Sequence, residues 1–153
     1  KISSHFKVSN DHHKKIRFDH DIFLNITKDF QYCFHWETLQ DQNMPENTYF
    51  SSHKFEYAYH QLMIELVLLQ VESIKRVIGE DTIENLFIDG GFSDNDVYIK
   101  LVSHYLRDME LRTTDSSLGS ALGAAIVISD DKLNSKFLRK NYALKKHVPF
   151  IIK

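Results

Sequence analysis

The sequence has little cysteine, proline or glycine, and it carries almost no net charge. Cys33 is its single cysteine, which excludes a disulfide scaffold within the chain and suits a reducing compartment. Two Pro and five Gly in 153 residues exclude collagen-like and low-complexity chains. A net charge of −2 argues against a nucleic-acid binder, and 42% hydrophobic residues exclude a disordered chain. The composition therefore predicts a globular fold with an ample core.

Long apolar segments are also absent. The most apolar window spans residues 62–71 and contains Glu65, so it is too short and too polar to cross a bilayer. The first residues lack the apolar region of a signal peptide. They also lack an initiator Met, which we interpret as the mark of a fragment or a processed chain. We expect neither a membrane nor nucleic acid as a partner.

The chain divides into three regions by the clarity of its pattern. Residues 1–50 show no clean periodicity beyond a helical turn or two within 19–29, and we interpret them as an irregular insertion or a partial segment. Residues 51–130 carry clear helix and strand signals. Residues 131–153 form a basic tail. Such charges usually mark a solvated surface, and the alternative is contact with an acidic partner domain.

The strongest helix signal begins after Ser51 and Ser52, which are good capping residues, and ends at Gly79. Apolar side chains recur there at every third or fourth position, which predicts one wide buried face. They are Phe55, Tyr59, Met63, Val67, Val71, Ile74 and Ile78.

Shorter elements follow this helix. The apolar run at 84–89 is bounded by two Gly residues, as is typical of a buried parallel strand. A helix over 96–107, a half-buried strand over 109–113 that could lie at an edge, and a helix over 117–129 come next. This order predicts an α/β fold in which parallel strands pack against helices.

The turn at 88–95 is the strongest candidate site, because ligands of open α/β sheets bind at the carboxyl ends of strands. Gly90 and Gly91 leave the backbone bare, so a base or a phosphate could approach it closely. The alternative is a plain strand-to-helix turn that needs a positive φ angle. The motif is neither the GxGxxG of a Rossmann fold nor a P-loop.

Gly119 and Gly123 lie four residues apart within the last predicted helix. Each costs about 1 kcal/mol relative to Ala, so close approach of another element should compensate. That element could belong to the same core or to a moving contact between domains, and the sequence leaves both open.

Other reactive side chains favour structural roles. His12, His13 and His20 lack a Cys partner and the spacing of a zinc site, so we expect no metal and solvated rings. We expect Cys33 to be a small core residue and His104 to lie on the surface.

The motifs at 89–95 (DGGFSDN) and 121–125 (ALGAA) together resemble the end of the C-terminal domain of FGGY-family carbohydrate kinases. The similarity covers roughly residues 50–129. The first 45 residues are faintly similar to an insertion of the fuculose and rhamnulose kinase-like members. The resemblance implies part of a ribonuclease H-like lobe, the fold of the actin, hexokinase and heat-shock-protein-70 superfamily.

The resemblance also implies a nucleotide site for ATP with Mg²⁺. Gly90 and Gly91 would pack under the adenine and ribose, with Ser93 and Asn95 near the nucleotide. Phe92 belongs to the same site but stands where many members have a third Gly, so the fit around the base differs here.

Gly119 and Gly123 would lie on the connecting helix at the hinge between the two lobes of such a kinase. The family's catalytic Asp and most of its sugar pocket belong to the N-terminal lobe, so we assign no catalytic residue here. The second phosphate loop of the family, a Thr-Gly-Thr turn, is also missing, since the chain has no Gly-Thr pair. We expect this segment to be inactive alone.

The resemblance leaves one alternative, a noncatalytic actin-like half-fold that binds a protein partner. An exposed apolar patch where the other lobe would sit is the feature expected of it. The oligomeric state stays open, with a homodimer allowed.

Overall fold

The computed structural model describes residues 2–34, 54–114 and 145–150. They form a mixed α/β unit with four α-helices and one three-stranded sheet. In chain order the elements are α1 (Ile2–His5), a 3-10 turn (His12–Lys15), α2 (His20–Lys28), α3 (Phe55–Ile78), β1 (Asn85–Ile88), a 3-10 turn (Gly90–Phe92), α4 (Asp96–Tyr105), β2 (Glu110–Thr113) and β3 (Lys145–His147).

The long predicted helix is confirmed as α3. It ends where Gly79 adopts φ +61° and donates its N–H to the carbonyl of Lys75, a conformation that favours glycine. Its predicted apolar face is buried over most of its length, with Met63 and Val67 at its centre. Ser51 and Ser52, the predicted caps, lie outside the described residues.

The predicted parallel pair is also confirmed. β1 pairs in parallel with β2 through the register Asn85–Glu110 to Ile88–Thr113, and α4 connects the two strands. Asn95 caps α4, because its side-chain oxygen accepts the N–H of Tyr98. The ribonuclease H-like fold itself stays a prediction.

Two details of the strand predictions are wrong. β1 is not buried, since Phe87 is 55% exposed and only Leu86 and Ile88 on the opposite face pack against the core. β2 does not lie at an edge, because β3 pairs with it in antiparallel fashion. The sequence of β3, Lys-Lys-His, carries no apolar alternation that would predict a strand.

The core lies between α3, α4 and the N-terminal segment. α3 packs against α4, and α1 and α2 pack against α3. Ile16, Phe23 and Ile26 are buried in the same core, where each apolar side chain stabilises the fold by roughly 1.5–3 kcal/mol. The described part of residues 1–50 is therefore packed against the helices of the region that follows.

His104 is not the surface residue that the sequence predicted. It is half-buried, and its ring stacks on Phe150 at 4.3 Å between centroids and meets Phe23 edge-on at 5.4 Å. Burial lowers the pKa of His104, although a hydrogen bond with the backbone of Phe150 opposes this effect. Phe18 also contacts Phe150, at 4.6 Å. We call Phe18, Phe23, His104 and Phe150 the aromatic cluster.

Three other expectations concern single residues or segments. Cys33 is half-buried, and its backbone N–H donates to the buried carboxylate of Glu65 at 2.7 Å. The helix predicted over 117–129 lies outside the described residues. Within the described part of the chain, no helix is long and apolar enough to cross a membrane.

Candidate functional site

The turn after β1 is held by Asp89. One carboxylate oxygen of Asp89 accepts the N–H of Gly90 at 2.7 Å and the hydroxyl of Thr114 at 2.8 Å. Thr114 directly follows β2, so Asp89 joins the carboxyl ends of both parallel strands. The start of the turn is thereby fixed at the edge of the sheet where ligands of α/β folds bind.

The two glycines of the turn differ in what their backbone requires. Gly90 adopts φ +79°, which an L-amino acid rarely adopts. Gly91 has no positive φ, and a Cβ atom built on it would meet no heavy atom within 4 Å. The conformation of the turn therefore explains Gly90 but leaves Gly91 as bare backbone with open space beside it.

Ser93 and Asn95 both make hydrogen bonds within the fold. The hydroxyl of Ser93 donates to the carbonyl of Gly90 at 2.8 Å. Asn95 accepts the N–H of Tyr98 at 3.1 Å and donates its amide to the hydroxyl of Tyr59 at 2.8 Å. Burial raises the pKa of Tyr59, so this phenol stays neutral at physiological pH.

A cleft of ≈ 880 Å³ opens beside this turn, a volume within the range of small-molecule sites. It lies between the turn, one face of α3 and the N-terminal segment. Its lining residues are His13, Lys14, Ile16, Arg17, Tyr59, Met63, Gly91, Phe92, Asp94, Asn95 and Asp96.

The N-terminal wall of the cleft is anchored by two backbone hydrogen bonds. The N–H of Phe18 donates to a carboxylate oxygen of Asp96 at 2.8 Å, and the N–H of Asp19 donates to Nε2 of His60 at 2.9 Å. Ile16 is buried just before them. The N-terminal segment is thus held directly against the start of α4 and against α3 beside the cleft.

Charges of both signs line the cleft. Lys14 pairs with Asp11 at 3.0 Å, and this hydrogen bond lowers the pKa of Asp11. The guanidinium of Arg17 lies 3.3 Å from the carbonyl of Lys14. Asp94 and Asp96 also line the cleft and supply carboxylates. The cleft can therefore accept a ligand that carries anionic groups together with a cation.

Phe92 adds an aromatic surface. Its ring lies 4.5 Å from the ring of Tyr98, yet it remains 42% exposed. An exposed ring at the rim of a cleft can stack with a planar heterocycle. The bulky residue of the motif therefore provides a stacking surface where a Gly would provide only space.

The three early histidines pack against rings, so the expectation that they are solvated is wrong. Each is half-buried. His12 meets Phe55 edge-on at 4.8 Å, His13 lies 6.1 Å from Tyr59, and His20 lies 5.7 Å from Phe150. Among residues 2–34, 54–114 and 145–150, no cluster of three or more His, Cys, Asp or Glu is suited to a metal ion.

The structure brings together some of the predicted site residues and adds others. Gly91, Phe92 and Asn95 line the cleft, whereas Gly90 and Ser93 support the turn from outside it. Gly119 and Gly123 lie outside the described residues. Sequence reasoning missed the wall at 13–17, whose basic run, His-Lys-Lys-Ile-Arg, was the available signal.

Comparisons with known proteins give no relative. No family model matches the chain, and neither a curated protein nor a solved structure matches it.

Proposed function

We propose that this chain is the nucleotide-binding part of an ATP-dependent carbohydrate kinase, as its resemblance to the FGGY family implies. One observation carries the proposal. Gly91, Phe92 and Asn95, three of the residues that the resemblance assigns to the nucleotide, line a single cleft at the carboxyl end of β1. That end of a parallel pair is where α/β folds bind nucleotides.

The residues of the turn suit the nucleoside half of ATP. The adenine would stack on the exposed face of Phe92, and the bare backbone at Gly91 would allow close approach of the ribose. Asn95 would position this surface, because its hydrogen bonds to Tyr98 and Tyr59 fix the start of α4.

Mg²⁺ would enter with the nucleotide. It is usually held by one or two carboxylates together with phosphate oxygens, and Asp94 and Asp96 are the carboxylates of the cleft. When bound, the ion neutralises charge on the phosphates. Asp96 already accepts the N–H of Phe18, so Asp94 is the better candidate ligand.

The parent reaction would transfer the γ-phosphoryl group of ATP to a hydroxyl of a sugar. The sugar and the catalytic base would be supplied by an N-terminal lobe, so we expect this chain alone to bind nucleotide without transferring phosphate. Such a kinase would work in the cytoplasm.

Calorimetry with ATP and ADP in the presence of Mg²⁺ tests the proposal. We expect the wild-type chain to bind both nucleotides and Gly91→Val to lose binding, because the added side chain fills the space beside the turn. Ser73→Val is the matched control, since Ser73 is exposed on α3 and does not line the cleft. Absence of binding by a folded wild-type chain contradicts the proposal.

The second candidate is the noncatalytic interaction module. The observation in its favour is the exposed face of β1, where Phe87 is 55% exposed and the nearby Ile83 is 40% exposed. Exposed apolar patches can mark protein interfaces. Sedimentation of the wild type and of Phe87→Ser tests it: a dimer that the substitution dissociates, in a chain that binds no nucleotide, would favour this module.

A further inference from the structure

We propose that Lys14 and Arg17 bind the phosphates of the nucleotide. This inference rests on the proposed function, and it assigns the phosphate contacts to the N-terminal segment rather than to the turn. We call Lys14 and Arg17 the cation pair. Both line the cleft that also holds Gly91 and Phe92.

The cation pair is held in place by the segment around it. His12 packs on Phe55 and His13 on Tyr59, both on α3. Immediately after the pair, the backbone N–H of Phe18 donates a hydrogen bond to the carboxylate of Asp96 at the start of α4. The backbone that carries the two cations is therefore fixed against both helices. This segment would lose less conformational entropy when a ligand binds than a flexible segment would.

The charged ends of the pair are available to a ligand. The ion pair of Lys14 with Asp11 is largely solvent-exposed, at 68% and 76% of the two side chains, and such pairs contribute little to stability. Within the described part of the chain, the guanidinium of Arg17 bonds to the carbonyls of Lys14 and Ile16 alone, at 3.3 and 3.5 Å. Both cations can turn to an anion without breaking a strong contact.

Phosphate is the anion that the cleft suits best. The planar fork of Arg matches two phosphate oxygens, and the ammonium of Lys adds a point charge. Asp94 and Asp96 in the same cleft would repel a bare anion, so the structure favours a polyphosphate that brings its own divalent cation. Phe92 and Gly91 then lie beside the nucleoside, with the phosphates directed to residues 14–17.

Charge-removing variants test the cation pair. Calorimetry with Mg²⁺ would compare ATP, adenosine and inorganic tripolyphosphate as ligands of the wild type and of Lys14→Gln/Arg17→Gln. We expect the double variant to bind ATP at least about tenfold more weakly, as loss of charged hydrogen bonds predicts. Adenosine affinity should stay within about twofold, because the turn is unchanged, and tripolyphosphate binding should be lost.

Lys75→Gln/Arg76→Gln is the matched control. It removes the same charge from exposed positions in the last turn of α3, away from the cleft. Circular dichroism should show all variants folded, because the four substituted side chains are exposed.

The outcomes separate this inference from the proposed function. If ATP binds the double variant and the control with equal affinity, the proposed phosphate contacts of the cation pair are wrong. The proposed nucleotide site is unaffected by that outcome. A second outcome is that tripolyphosphate binding depends on the cation pair, while adenosine does not bind and ATP binds no more tightly than tripolyphosphate. That outcome supports the phosphate-binding role of the cation pair and overturns the nucleotide proposal. Failure of ATP and tripolyphosphate to bind the folded wild type overturns both.

Discussion

His60 joins the N-terminal segment to α3 through both nitrogens of its buried ring. Its Nδ1 lies 2.7 Å from the carbonyl of Glu56, and its Nε2 lies 2.9 Å from the N–H of Asp19. A backbone N–H can only donate, so Nε2 must accept and the proton must lie on Nδ1. Burial lowers the pKa of His60, although the nearby charges of Asp19, Glu56 and Asp96 partly oppose it.

This geometry predicts that stability falls as the pH drops below about 6.5, the ordinary pKa of histidine. In that range the unfolded chain binds a proton at His60 that the folded chain does not. One such proton changes the free energy of unfolding by at most about 1.4 kcal/mol per pH unit. Urea denaturation at pH 5.5 and 7.5 should show a smaller pH dependence for His60→Gln than for the wild type.

Some pH dependence should remain in that variant. Burial also lowers the pKa of His104 and of His147, so these two residues likewise make the fold less stable as the pH falls. Equal loss of stability in the wild type and in His60→Gln would contradict the assignment to His60.

At the scale of elements, the turn between β1 and α4 has two glycines with different requirements. We expect Gly90→Ala to destabilise the fold by about 1–2 kcal/mol, because its φ of +79° is unfavourable for a residue with a Cβ atom. Gly91→Ala should change stability by less than about 0.5 kcal/mol, since its added atom meets nothing within 4 Å. Urea denaturation of the two variants measures the difference.

Each glycine variant serves as the control for the other, since both make the same chemical change. Equal destabilisation would show that Gly91 is also required by the backbone, and it would weaken Gly91→Val as a test of ligand binding.

Elements with local signals were predictable from the sequence. The periodicity of α3, its stop at Gly79 and the cap of α4 at Asn95 all depend on residues within a few positions of each other. β3 was not predictable, because three polar residues pair with β2 only after the chain has returned to it. The exposure of Phe87 was also missed, since an apolar run does not say how many faces of a strand are covered.

The candidate site was predictable only on one side. The turn carries its own motif, whereas Lys14 and Arg17 reach the cleft through contacts of Phe18 and Asp19 with α4 and α3. Such contacts join positions more than forty apart in sequence, and a charged run gives no sign of them. The basic residues therefore resemble a solvated surface until the helices are in place.

At the scale of the whole molecule, the aromatic cluster joins segments from both ends of the sequence. We expect Phe150→Ala to destabilise the fold by about 2 kcal/mol, less than for a fully buried ring, because Phe150 is half-buried against Phe18, Phe23 and His104. Thermal denaturation should show a midpoint about 4–8 °C lower.

Val148→Ala is the control, because Val148 lies in the same segment and is 69% exposed. It should change stability by less than about 0.5 kcal/mol. A similar effect of both substitutions would show that the segment at 145–150 contributes through its backbone pairing and not through the aromatic ring.

The aromatic cluster also has a consequence for synthesis on the ribosome. Phe18 and Phe23 leave the ribosomal tunnel long before Phe150, their neighbour in the folded chain, has been translated. Contacts over such separations form late and slowly. The rings of Phe18 and Phe23 therefore lack their contact with Phe150 until the last part of this sequence has been made, so the aromatic cluster is completed only after synthesis of the helices.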